Sequence, residues 1–145
     1  MGNKVKLKIV YKKDYNELIV FLTNFENEYR TSQFWTARIL RWWDNNPAFS
    51  EDIVRGWILI RSDNKKIVGF LGNIPTFIQI RGKKTISFNA TSWRVEKKHR
   101  NQSLYLIFAA KQYQKEKLHF DTTPSNRVVS ILKSIRYQQF PEKSR

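Results

Sequence analysis

The 145-residue chain carries 27 lysines and arginines against 12 aspartates and glutamates, a formal charge of +15. Its 41% hydrophobic and 14% aromatic content supplies one core, so a disordered chain is excluded and a single domain over residues 1–145 is expected. The absence of cysteine excludes a disulfide framework and a thiolate metal site, and two histidines, His99 and His119, are too few for a metal centre, so no metal is expected.

No signal-peptide pattern and no transmembrane segment of roughly 20 apolar residues is read in the sequence, so a reducing cytoplasm is the expected location. The positive charge attracts polyanions in general, whether nucleic acid, an anionic membrane, an acidic carrier protein or a phosphorylated cofactor. Charge alone does not choose among them, and dispersed lysines serve equally as a solubilising surface.

Residues 5–11, VKLKIVY, alternate apolar with lysine and predict a strand with one buried face. Asp14 with Glu17 has the capping-box spacing, and Leu18, Ile19, Phe21, Leu22 and Phe25 predict a helix over residues 15–30. Thr31 or Ser32 caps a second helix whose stripe of Phe34, Trp35, Ile39, Leu40, Trp42 and Trp43 reads first as core and second as a pocket lining. Residues 57–61, 67–81 and a run starting at Lys84 predict three strands of an antiparallel meander, with Gly72 and Pro75 marking a bulge or irregular end.

That third strand passes into the basic segment Glu96-Lys97-Lys98-His99-Arg100-Asn101-Gln102-Ser103 and then into an apolar helix from Leu104. A strand running into a helix start presents unpaired N–H groups and the positive end of the helix dipole, an anion site for a phosphate or pyrophosphate, with Asn101 or Ser103 as helix cap. Leu118 to Asp121 reads as a short strand and residues 126–135 as a last helix. The expected fold is α+β, a mixed and mostly antiparallel sheet with helices on both faces, in the order β-α-α-β-β-β-α-β-α.

This order resembles the Gcn5-related N-acetyltransferase (GNAT) fold over most of the chain. Val95, Arg100 and the apolar Leu104, Leu106 and Ile107 match the family's coenzyme A loop, and SWRVEKKHRNQSLYLIFAA is similar to a bacterial subset of acyl-CoA acyltransferases. Where many members carry glycine this chain has Asn101, Ser103 and Tyr105, with the Tyr105 ring expected to turn into the core. Leu132 replaces the tyrosine that protonates the leaving thiolate. Only eight residues follow Tyr137, too few for two closing strands, which predicts a C-terminally truncated sheet or an edge supplied by a homodimer partner.

The resemblance implies acetyl-CoA or another acyl-CoA as co-substrate. Trp93, Arg94 and Val95 would hold the pantetheine arm and thioester carbonyl, Arg100, Asn101, Gln102 and Ser103 the pyrophosphate, and Asn126 the pantetheine. Glu96, Asp121 and Glu28 (with Glu26 beside it) are the candidate bases, and each reads first as a surface ion-pair partner and second as a base. The leading expectation is an N-acyltransferase acting on an amine or sugar acceptor. The alternative is a catalytically weak module of the same fold that binds a polyanion such as nucleic acid, or acyl carrier protein, for which Trp42, Trp43 and Trp57 would need to be exposed.

Overall fold

The computed structural model describes residues 4–115. Strands β1 (Val5–Ile9), β2 (Gly56–Arg61), β3 (Ile67–Ile80) and β4 (Lys83–Val95) form an antiparallel sheet in the order β1-β2-β3-β4. The expected strand at Leu118–Asp121 and the helix at 126–135, with Asp121, Asn126 and Leu132, lie outside the described residues. Helices α1 (Tyr15–Thr23) and α2 (Ser32–Ile39) cover one face of the sheet and α3 (Leu104–Gln114) the other.

The α1/α2 face holds the larger core. Leu18, Phe21 and Leu22 of α1, Trp35 and Ile39 of α2, and Trp42 and Trp43 beyond it close over Ile58, Ile67 and Phe70. The tryptophan stripe is therefore core, and Trp57 is buried on the opposite face with Leu59, Leu71, Leu106 and Ile107. Each such large side chain withdrawn from water contributes on the order of 2 kcal/mol.

Three local expectations change. The first helix stops at Thr23 rather than Arg30, and Asn27, at φ 65°, turns the chain in the left-handed region that asparagine tolerates. Asp14 does not cap α1; its carboxylate accepts the Tyr11 N–H at 2.8 Å and closes the preceding 3₁₀ turn. Thr31 does cap α2, accepting the Phe34 N–H at 3.1 Å. The helix then widens into a π turn over Leu40–Asp44, which swings Trp43 so that its Nε1 donates to the Asn73 carbonyl at 2.9 Å. Asn46 anchors the end of that turn by donating to the Trp42 and Pro75 carbonyls, both at 2.8 Å.

Candidate functional site

The β3–β4 hairpin is regular from Ile80↔Lys83 to Gly72↔Thr91, and pairing resumes at Phe70↔Arg94. One step of two residues on β3 thus faces three on β4, a β-bulge at Ser92, whose φ is 55°. Gly72 and Pro75 suggest an irregularity in β3, but the extra residue belongs to β4.

Beyond the bulge, the Glu96 N–H donates to the Val68 carbonyl at 2.8 Å. Strand alternation therefore turns the Val95 N–H away from β3, toward the outer edge of β4. Among the described residues that edge has no paired strand. Trp93 packs toward α3 and Arg94 toward α1 and α2, so the three residues expected to line a pantetheine arm divide between the faces and the edge.

The basic segment is a 3₁₀ turn over Lys97–Gln102 that leads directly into α3. Consequently neither Ser103 nor Asn101 caps the helix: the Ser103 N–H donates to the Arg100 carbonyl at 3.1 Å and its side chain makes no cap bond. The first amides of the turn belong to Lys97 and Lys98, and His99 already donates to the Glu96 carbonyl at 2.9 Å. These two lysine amides were not singled out from the sequence, because a 3₁₀ turn has no period that sets it apart from a loop. Arg100 fixes the turn, donating from Nε to the Val95 carbonyl and from Nη2 to Glu26, both at 3.0 Å. Asn101 is exposed and Gln102 and Ser103 are half-buried. Tyr105 is 50% exposed rather than in the core.

Glu28 sits at the α1–α2 connection with its carboxylate almost out of solvent. It accepts the Arg30 N–H at 2.9 Å, Arg30 Nε at 2.8 Å and Arg94 Nη1 at 2.8 Å. The Arg94 guanidinium lies over Phe25 and Trp35, and that of Arg30 over Phe34 and Trp35. Burial pushes the Glu28 carboxyl upward, but the bonds from Arg30 and Arg94 outweigh it and lower its pKa to about 2. Such a group stays ionised and paired near neutrality, so the clamp ties the α1–α2 connection to β4 beside the bulge. A second ionic cluster lies at the start of β2, where the buried Arg55 donates to Tyr15 Oη at 2.9 Å and Tyr15 donates to Asp44 at 2.6 Å. Burial and the Asp44 bond push the Tyr15 phenol up.

No family model and no curated protein matches the sequence. Solved structures do match in fold. A Trypanosoma brucei acetyltransferase aligns with a TM-score of 0.63 at 13% identity, over 91% of this chain and 91% of that one. Glucosamine-6-phosphate N-acetyltransferase from Arabidopsis thaliana aligns with a TM-score of 0.63 at 11% identity, over 90% of each chain. A GNAT family N-acetyltransferase from Escherichia coli in complex with CoA aligns with a TM-score of 0.55 at 15% identity, over 80% of this chain and 59% of that one.

The chain has the GNAT fold. Within it, the bulge and the basic turn lie at the end of β4. Glu96, Lys97 and Lys98 also line an open cleft of about 710 Å³ between α1 and the β2–β3 turn, with Val20, Phe21, Phe25 and Ile67 as apolar lining and Lys65 and Lys66 opposite. The structure brings Glu96, Arg100, Glu26, Arg94 and Glu28 to one end of the sheet. Among the described residues no group of three or more His, Asp or Glu side chains is placed to hold a metal ion, and no helix is long and apolar enough to cross a membrane.

Proposed function

We propose that this chain is an acyl-CoA-dependent N-acyltransferase. The observation that carries the reading is the junction at the end of β4, where a bulge at Ser92, an outward Val95 N–H and the basic turn of Lys97 to Gln102 follow one another. A thioester laid along the edge of β4 would meet the Val95 N–H as donor to its carbonyl oxygen, while the pyrophosphate would meet the Lys97 and Lys98 amides and the side chains of Arg100, Asn101, Gln102 and Ser103. Asn126 would extend the pantetheine contacts.

In the reaction the acceptor nitrogen attacks the thioester carbon, its lone pair forms the new C–N bond, and the C–S bond breaks as the carbonyl reforms. The nitrogen gives up one proton and the departing thiolate takes one, so the balance closes through water or a side chain. Glu28, bound by two arginines, acts by positioning. Glu96 and Asp121 are the bases we propose, and the proton for the thiolate comes from a group other than Leu132.

Calorimetric titration with acetyl-CoA at low and moderate salt, beside Arg100→Ala, tests the reading. We expect micromolar binding that persists in moderate salt and weakens about tenfold or more in the variant, a loss of about 1.4 kcal/mol. Absence of binding to the wild-type chain at both salts would overturn it. No observation favours the alternative of a nucleic-acid module, because Trp42, Trp43 and Trp57 are buried.

A further inference from the structure

The far end of the β3–β4 hairpin leaves the sheet. Pairing with β2 stops at Gly56↔Gly72, so β3 and β4 run on toward their turn as a two-stranded ribbon with, among the described residues, no strand on either edge. The base of the ribbon is anchored: Asn46 donates to the Pro75 carbonyl, Ile74 packs on the α1/α2 core, and Phe88 meets the Tyr113 ring of α3. Past these contacts residues 77–80 and 83–86 project by about 13 Å, at about 3.3 Å per residue.

Cross-strand partners share a face, so Phe77 and Ile86 lie on the α3 side with Phe88, and Ile78 and Ile80 on the α1/α2 side with Ile74. Phe77 is 39% and Ile80 43% exposed, and the apolar surface therefore faces outward on both sides of the ribbon. The turn itself is Arg81 at φ 54° and Gly82 at φ 78°. Two left-handed residues in a two-residue hairpin turn match the twist of the strands, and asparagine is the usual choice in the first place. Here an arginine stands there, with Lys83 and Lys84 beside it, all exposed. No aspartate or glutamate falls between residues 64 and 95. This tip lies at the opposite end of β4 from the bulge and the basic turn, so acyl-CoA binding there does not account for its charge.

We infer that the ribbon tip is a docking arm for an anionic lipid surface: Phe77, Ile78, Ile80 and Ile86 enter the headgroup layer while Arg81, Lys83 and Lys84 stay among the phosphates. Each cation beside a negatively charged leaflet strengthens binding about fivefold. The apolar side chains then leave water at the acyl boundary, where surface-bound elements sit about 5–10 Å deep. Apolar residues on both faces suit a fluid layer that surrounds the tip, whereas a protein surface covers one face. Nucleic acid fits less well, because Ile78, Ile80 and Ile86 have no π-face for a base and the Phe77 ring already carries the Lys84 ammonium at 4.4 Å. A second copy of the chain would bring the same cations and no carboxylate at its own tip. The unpaired N–H and C=O groups along both ribbon edges keep the arm in the hydrated interface and out of the hydrocarbon.

The test is co-sedimentation of the full chain with phosphatidylcholine vesicles, with and without phosphatidylglycerol. Binding should require the anionic lipid. Ile80→Ser, which keeps the charge, should weaken binding about tenfold, and Arg81→Asn about fivefold. The second variant makes the Asn-Gly turn that this geometry favours, so its thermal stability should hold or rise while vesicle binding falls, which separates loss of a contact from loss of the fold. Lys65→Gln with Lys66→Gln, at the other end of β3, removes more charge than Arg81→Asn and should leave vesicle binding close to wild type. An equal loss in that variant and in the tip variants would overturn the inference by assigning the attraction to overall charge. It would also fall if anionic vesicles were not bound, or if a DNA duplex were bound in preference to them with the tip variants weakening the duplex.

Discussion

Ser92 holds a conformation that serine seldom adopts, and the bulge depends on it. A left-handed residue without an asparagine-like local bond costs about 1 kcal/mol, so Ser92→Gly is expected to hold or raise stability while Ser92→Val lowers it by about 2 kcal/mol. Thermal unfolding of the two variants distinguishes a built-in bulge from an incidental one. Glu28 gives a prediction of a different kind. Its carboxyl is lowered from 4.5 in the unfolded chain to about 2 in the fold, so the stabilisation is fully present above about 4.5 and lost as the pH falls through 2. The shift corresponds to roughly 3 kcal/mol at most, and Glu28→Gln should flatten the acid limb of a stability–pH curve over that window. Neither role was legible beforehand. Serine carries no signal for positive φ, and the two arginines that fix Glu28 include Arg94, 66 positions away in the chain.

At the scale of elements, the hairpin strands and both helix faces were readable because apolar residues recur with periods of two and 3.6 where one side is buried. The misreadings share a cause: a local contact outweighed the pattern. Phe25 continues the helical spacing of α1 but leaves the helix to pack its ring edge-on against Phe21 and beneath Arg94. Asp14 serves a 3₁₀ turn instead of the helix after it. Gly56, which opens β2, is governed by a similar close contact. Its φ is 155°, and a β-carbon there would stand 2.6 Å from the Leu71 carbonyl oxygen. Gly56→Ala should therefore cost about 3 kcal/mol in chemical denaturation, since both the dihedral and the β2–β3 pairing must give.

For the whole molecule, the charge of +15 sets long-range behaviour without deciding chemistry. Capture of the anionic acetyl-CoA should slow as salt rises, because steering between exposed charges fades beyond a Debye length of about 8 Å at physiological ionic strength. Stopped-flow association of acetyl-CoA between low and moderate salt should show a fall in on-rate, with the off-rate nearly constant; a salt-independent on-rate would assign the lysines to solubility alone. The sequence made this field visible but not its distribution. That no aspartate or glutamate falls between residues 64 and 95 becomes meaningful only once most of those residues are seen to form the β3–β4 hairpin.

The packed tryptophans carry an optical consequence. Trp42 and Trp43 lie 5.4 Å apart at 63° and Trp35 and Trp42 6.4 Å apart at 61°, close and skewed enough for their excited states to mix. The folded chain should then show an exciton couplet in circular dichroism that overlaps the helical bands, so that apparent helix content read from the spectrum departs from the true one. Trp42→Phe would abolish the couplet with the backbone unchanged, and the couplet's loss on heating would report this core alone.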